Sequence, residues 1–280
     1  MRRSTIGWRA ALVLALVAPC WAEAEDKPAI TLQRTPAGIR FGLLGVKGKS
    51  PAPTLFVFAA GAEESLRSAD FNKVGRLLGR QGTLCVSLDV PCHGEDQQAK
   101  ESGLAGWRAR LEKGDTLVPG FVGKASAVLD HLIKEGYTDP RRVAACGTSR
   151  GGFIALHFAA AEPRVHCVAA FAPVTNLLAL REFAGMEKHK ATRALDLTHC
   201  AGKLAGRPIW VCIGNRDERV NTDDVIAFTR RVVAASTASD KAVPVELHVM
   251  PTVGHRIHNT AHEEAAAWVR ACLKDAGAGR

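Results

Sequence analysis

An α/β protein built on a mainly parallel sheet is what the sequence predicts, and three observations predict it. Short apolar runs, such as those over 54–58, 143–146 and 209–213, recur along the chain. They alternate with longer stretches of helical periodicity, and strands apolar at nearly every position belong to sheets covered by helices on both faces. Finally, Gly147-Thr148-Ser149-Arg150-Gly151 lies between the apolar run 143–146 and the helical stretch 153–161, so the chain must pass from strand to helix through a sharp turn.

The elements follow in order. Residues 30–34 and 39–44, separated by Thr35-Pro36-Ala37-Gly38, read as a hairpin. A core strand over 54–58 leads into the small-residue loop Ala59-Ala60-Gly61-Ala62, and a helix is expected from an Asp70 cap to Arg80. Gly82 stops that helix, and the next strand covers 84–88. Helix 121–135, strand 143–146, helix 151–161 and strand 167–171 come next. Strand 209–213, helix 223–235, strand 245–250 and helix 260–273 complete an eight-stranded sheet with flanking helices. Stretches 95–120 and 174–206 break the rhythm where open α/β sheets place their sites, so both are expected as small cap insertions or pocket rims.

Composition narrows the function class. Arg2, Arg3 and Arg9, an apolar centre over 10–18 and Ala22-Glu23-Ala24 read as an export signal spanning 1–24, leaving one domain over 25–280. The nine apolar residues before Pro19 are too few for a bilayer span, which takes about 20, so a cleaved, periplasmic or secreted chain without stable membrane insertion is expected. The leader holds three arginines and one glutamate, so +7 of the formal +9 charge stays with the mature chain. Those cations are spread along the length rather than clustered, which argues against a nucleic-acid partner. With 47% apolar residues and no linker-like stretch, one large core is expected. Of the seven cysteines after the leader, Cys85, Cys146, Cys167 and Cys212 lie in apolar strands as small hydrophobes, leaving Cys92, Cys200 and Cys272 free to bridge. No Cys-x-x-Cys spacing suggests a metal knuckle or a redox centre.

A serine exposed on a strand–helix turn becomes a nucleophile only if a base takes its proton and an acid orients that base. Directly after strand 209–213 comes Gly214-Asn215-Arg216-Asp217-Glu218-Arg219-Val220, and directly after strand 245–250 comes Pro251-Thr252-Val253-Gly254-His255. Asp217 and His255 thus occupy loops at strand ends, in the chain order Ser, Asp, His. Asp223 and Asp224 compete with Asp217 but suit the N-terminus of the following helix. His258 and His262 compete with His255, and their spacing with Glu263 hints at a metal; a helix start is the simpler account, and no metal or cofactor is expected.

The motifs GTSRGG (147–152), GNRDERV (214–220), VGH (253–255) and DVPCHG (89–94) resemble those of α/β-hydrolases from about residue 38 onward. The stretch GYTDPRRVAACGTSRGG (136–152) is similar to the prolyl-oligopeptidase and dienelactone-hydrolase branch. The resemblance implies Ser149 as nucleophile, Asp217 as orienting acid, His255 as base and the Arg150 backbone N–H as one oxyanion donor. It implies a second donor in the loop after the third strand, at Ala62 or alternatively Ala60, although that loop lacks the usual His-Gly pair. Cys92 stands where the branch has glycine. Peptidases of the branch use a tyrosine hydroxyl as oxyanion donor and carry a large extra domain, whereas this chain has one tyrosine, Tyr137, before the elbow strand. An exported carboxylesterase acting on a small-molecule or polymer-borne ester is therefore expected. A serine peptidase, with Glu63-Glu64 as anchor for a substrate amine, is the alternative, and a non-catalytic binding protein is the third reading. Arg150 is expected to form a salt bridge across the elbow helix or, as the alternative, to meet a substrate carboxylate, and His93 to support its own turn; Trp107, Phe121, Leu177, Leu180 and Phe183 are expected as core or pocket wall.

Overall fold

The computed structural model describes residues 29–242 and 244–278, so the leader expected over 1–24 lies outside the described residues. The hairpin forms as strands β1 (Ile30–Arg34) and β2 (Arg40–Leu44), and β3 (Ala52–Phe58) follows. Next come helices α1 (Ala62–Arg67) and α2 (Lys73–Gly79), strand β4 (Leu84–Ser87), and helices α3 (Gly103–Glu112) and α4 (Val118–Lys134). Strand β5 (Thr138–Thr148), helix α5 (Arg150–Ala161) and strand β6 (Val165–Phe171) form the centre. Short helices α6 (Lys190–Ala194) and α7 (Ala201–Leu204), strand β7 (Ile209–Arg216), helix α8 (Thr222–Ala238), strand β8 (Val245–Val253) and helix α9 (Ala261–Gly277) finish the chain.

The strands lie in the order β1-β2-β4-β3-β5-β6-β7-β8, antiparallel through β1, β2 and β4 and parallel from β4 to β8. Alternate strand residues feed two cores. Phe56, Phe58, Val143 and Ala145 face α3, α4, α5, α7 and α8, while Leu55, Val57, Ala144 and Cys146 face α1, α2 and α9. Burial on both faces is why these strands read as unbroken apolar runs. All the parallel strands point their C-terminal ends the same way, so the loops after β3, β5, β7 and β8 gather at one edge.

Three local expectations need correction. The helix expected from an Asp70 cap to Arg80 is α2, which follows Asn72 rather than Asp70 and ends at Gly79; the buried Asn72 side chain donates to Leu66 O (3.0 Å). A further helix, α1, begins at Ala62 inside the stretch expected as loop and ends at Arg67. The cap of α8 is Asn221, whose Oδ1 accepts from the Asp223 and Asp224 amides, rather than either aspartate. The 95–120 insertion is largely α3 plus the start of α4, and 174–206 is a chain of short helical turns. The two insertions meet: Arg108 Nη1 on α3 donates to the carbonyls of Glu182 (3.1 Å) and Ala184 (2.9 Å). Trp107, Phe121, Leu177, Leu180 and Phe183 are all buried in the core. No described helix is long and apolar enough to cross a membrane.

Candidate active site

Ser149 lies between β5 and α5 with φ 56° and ψ −118°, a conformation that costs a non-glycine residue of order 1–3 kcal/mol and persists only where its surroundings impose it. They do so here. The Ser149 N–H donates to Phe171 O (2.8 Å), and Ser149 O accepts from the amides of Phe153 and Val174, each at 3.1 Å. The glycines are sterically required: a Cβ on Gly147 would fall 2.2 Å from Gly151 C, and one on Gly151 would fall 1.8 Å from Phe58 O. The tight turn holds the serine above the C-terminal edge of the sheet, half-buried, with the first amide of α5, that of Arg150, taking no protein acceptor.

Asp217 and His255 come together. His255 Nδ1 lies 2.8 Å from Asp217 Oδ2, and the Asp217 side chain is fully buried. Its Oδ1 accepts from the backbone amides of Arg219 (2.9 Å) and Val220 (3.2 Å). Burial pushes the Asp217 carboxyl up, but the hydrogen bond and charge of His255, with those two amides, hold it below its ordinary value. Asp217 is thus ionised at neutral pH and accepts Nδ1–H, which leaves Nε2 of a neutral His255 with a lone pair to take a proton. Ser149 Oγ and His255 are not hydrogen-bonded to each other in this structure, a spacing common before substrate closes the site. Of the competing residues, His262 stacks on Phe171 (4.7 Å between centroids), His258 bonds Thr260, and Asp223 and Asp224 stay on α8.

The oxyanion loop differs from expectation. The Ala62 N–H is already taken by Asp89 Oδ1 (2.8 Å) and the Ala60 N–H by Ser65 Oγ (3.0 Å), so neither amide stands free to hold an oxyanion. Both carbonyls of the loop are pinned as well: Ala60 O accepts from Val90 N (3.1 Å), and Ala59 O from Arg150 Nε (2.8 Å). That last bond also corrects the expected salt bridge of Arg150, whose side chain reaches back over the loop rather than along its helix. Asp89 is the residue that sequence reasoning missed. It opens the DVPCHG motif, and its carboxylate also pairs with Arg40 (2.8 Å) and accepts the Glu95 amide (3.2 Å). Gly94 must be glycine here, because a Cβ would sit 2.0 Å from Asp89 Oδ1.

The rest of that turn is structural. His93 Nδ1 faces Pro91 O (3.0 Å), as expected of a turn support. Burial first, then the charge of Arg150, holds the His93 pKa below its ordinary value, so the ring is neutral at pH 7. Cys92, at φ 64°, is buried against Gly106, and burial raises its thiol pKa to about 12, which makes it inert at neutral pH. Among the described residues, no group of three or more His, Cys, Asp and Glu side chains is placed to hold a metal ion. A cleft of about 270 Å³ bordered by Arg34, Arg40, Glu95, Asp96 and Lys124 lies beyond Asp89, but its charges pair with one another and no triad residue borders it.

The chain also resembles known structures. It superposes on Porphyromonas gingivalis dipeptidyl peptidase 4 with a TM-score of 0.63 at 15% identity, covering 88% of this chain but 35% of that one. An acetyl xylan esterase from a Thermoanaerobacterium species gives 0.60 at 16% identity over 88% of each chain. A cold-adapted esterase from an Arctic intertidal metagenomic library gives 0.63 at 15% identity over 87% and 93%. At such identities these likenesses establish the α/β-hydrolase fold. No curated protein sequence matches significantly. The profile of the prolyl oligopeptidase family matches residues 122–276, a span that holds more than half the chain and includes Ser149, Asp217 and His255. The chain is a serine hydrolase of the α/β-hydrolase superfamily and belongs to the prolyl oligopeptidase family.

Proposed function

We propose that this hydrolase cleaves carboxylic esters through an acyl-enzyme on Ser149 and that it works after export. The observation that carries the chemistry is the 2.8 Å contact of His255 Nδ1 with a buried, ionised Asp217, opposite a serine held at φ 56° on the elbow. His255 Nε2 takes the Ser149 proton as Oγ attacks the carbonyl carbon, and the Arg150 N–H donates to the oxygen as it gains charge. Collapse of the tetrahedral adduct expels the alcohol, which receives the proton from His255. Water, deprotonated by the same imidazole, then attacks the acyl carbon and returns Ser149 and the acid.

Ester rather than peptide cleavage is supported by what the site lacks. The one tyrosine of the chain, Tyr137, lies just before β5 at the opposite end of the sheet, with Lys47 Nζ over its ring at 5.2 Å. No tyrosine hydroxyl can therefore assist an amide oxyanion. Glu63, half of the expected amine anchor, is engaged by Arg67 on its own helix. Export is supported by the basic, apolar and small-x-small segments of residues 1–24.

The test is turnover of 4-nitrophenyl esters from acetyl to decanoyl beside aminoacyl 4-nitroanilides, with a fluorophosphonate label. Ser149→Ala should abolish labelling and cut ester turnover by roughly 10⁶-fold. Preferential anilide cleavage would replace the ester reading with a peptidase, and an unlabelled, inactive wild-type chain would leave only a binding role.

A further inference from the structure

Half-buried arginines in this molecule normally hold carboxylates: Arg40 on Asp89 (2.8 Å), Arg110 on Asp96 (2.6 Å), Arg164 on Glu162 (2.6 Å) and Arg219 on Glu182 (2.7 Å). Arg150, next to the nucleophile, does not. Its Nε bonds Ala59 O, no carboxylate lies within ion-pair distance among the described residues, and its two terminal nitrogens have no protein acceptor. Neither nitrogen is sealed from solvent, on a residue adjoining Ser149 in the chain. Arg207 is likewise unpaired, but it precedes β7 and so lies at the far end of the sheet. Glu64 is close enough to be felt electrostatically without pairing.

A Cβ on Gly103, the first residue of α3, would lie 3.7 Å from Arg150 Nη1 and 3.9 Å from His93 Nε2. The two groups thus approach the same residue, one that has no side chain. Partial burial of the guanidinium depresses its pKa, opposed only by the charge of Glu64, so a partly desolvated cation is left without a paired carboxylate. An anion supplied from outside would restore the balance through paired N–H donors in the fork geometry that suits a carboxylate.

We infer that the Arg150 guanidinium is a substrate subsite for a carboxylate, which makes the preferred substrate an ester with an anionic group. Topology says which half of the ester carries it. The leaving alcohol must lie toward His255, after β8, to collect its proton, whereas Arg150 leans the other way, over the ends of β3 and β4. The carboxylate therefore belongs to the acyl part, as in half-esters of dicarboxylic acids. This inference rests on the ester-hydrolase reading for its catalytic test, and a binding measurement keeps the two separable.

The experiment compares mono-4-nitrophenyl glutarate and adipate with 4-nitrophenyl pentanoate and hexanoate, corrected for spontaneous hydrolysis. Wild type should favour the anionic ester by tenfold or more in kcat/KM, and 0.5 M NaCl should erode that preference. Arg150→Gln should lower the anionic-to-neutral ratio at least tenfold whatever it does to absolute rates, with Arg150→Lys restoring part of it. In parallel, glutarate binding to Ser149→Ala is measured by calorimetry and should vanish when Arg150→Gln is added. A ratio near one in wild type, or one unmoved by Arg150→Gln, overturns the subsite. Glutarate bound through Arg150 by a chain that cleaves neither ester would sustain the subsite and overturn the ester reading.

Discussion

The two arms that meet at Ser149 are built in opposite ways. On the β7–β8 side, Asp217 spends its hydrogen-bonding capacity on the base it serves: one oxygen on His255, the other on two amides of its own loop. On the β3–β4 side, Asp89 spends its capacity on the scaffold: Arg40, the Glu95 amide and the Ala62 amide. One buried carboxylate serves proton transfer and the other fixes a loop. The contrast teaches that an acidic motif beside a nucleophile has no role until its acceptor positions have been accounted for.

The largest effect should come from breaking the first arm. Asp217→Asn keeps the shape but offers an NH₂ to Nδ1, which favours the wrong tautomer and removes the charge that stabilises the imidazolium. Turnover should fall roughly 10⁴-fold with little change in KM, read from steady-state kinetics on a nitrophenyl ester. A loss under tenfold would mean that the Asp217–His255 pair is structural.

A second histidine sharpens the comparison, because it lacks a carboxylate. His157, on the helix that begins beside Ser149, is buried with Nε2 on Leu195 O (3.1 Å) and Nδ1 near Cys200 Sγ (3.6 Å). Burial, with a smaller push from Lys203, lowers its pKa from 6.5 to about 4. The folded chain therefore binds fewer protons than the unfolded chain between those values. Stability from this site is complete above about pH 6.5 and is lost as pH falls toward 4, with a ceiling of about 3 kcal/mol. Urea unfolding at pH 7 and pH 4.5 should show this loss in wild type and a smaller one in His157→Gln; equal losses would mean that protonated His157 is accommodated.

What the sequence revealed follows the same division. The alternation of strands and helices, the elbow and the acid–base pair were legible because they depend on local signals: apolar runs, paired glycines, and polar residues placed directly after strands. The second oxyanion donor was not legible, because whether the Ala62 amide is free depends on Asp89, a residue 27 positions away brought close by β4 pairing beside β3. Nor was α1, a six-residue helix that begins inside the small-residue loop, or the start of α2 at the buried Asn72, which looks polar and exposed in sequence. The salt bridge expected of Arg150 failed for the same reason: only the fold shows that its side chain turns back to Ala59.

Breaking the second arm should therefore cost stability before chemistry. Asp89→Asn leaves Arg40, with only 19% of its side chain exposed, with the more exposed Glu95 (3.3 Å) as its remaining carboxylate, and weakens the bonds to two backbone amides. A loss of about 2 kcal/mol in unfolding free energy is expected, below the 3–5 kcal/mol of a fully buried pair. Turnover should fall no more than about tenfold, through the loosened loop. A rise in turnover would be the informative surprise, since it would mean that the freed Ala62 amide had become the second oxyanion donor.

The smallest effect tests how far the acid–base arm leans on the insertions. Glu182 grips Arg219 through two bonds of 2.7 Å, while the Arg219 amide donates to Asp217 Oδ1 and the Glu182 carbonyl holds Arg108 on α3. The fork thus links both insertions to the loop that carries the acid. Glu182→Gln keeps the length and one hydrogen bond but removes the charge, and a half-buried pair of this kind contributes about 1 kcal/mol or less. Turnover should drop two- to fivefold, with a similar drop for Arg219→Gln and no further drop in the double variant, since the pair acts as one unit. Additive losses would show that each residue supports the Asp217 loop separately, through Arg108 or through the backbone, and that the fork is incidental to the arm.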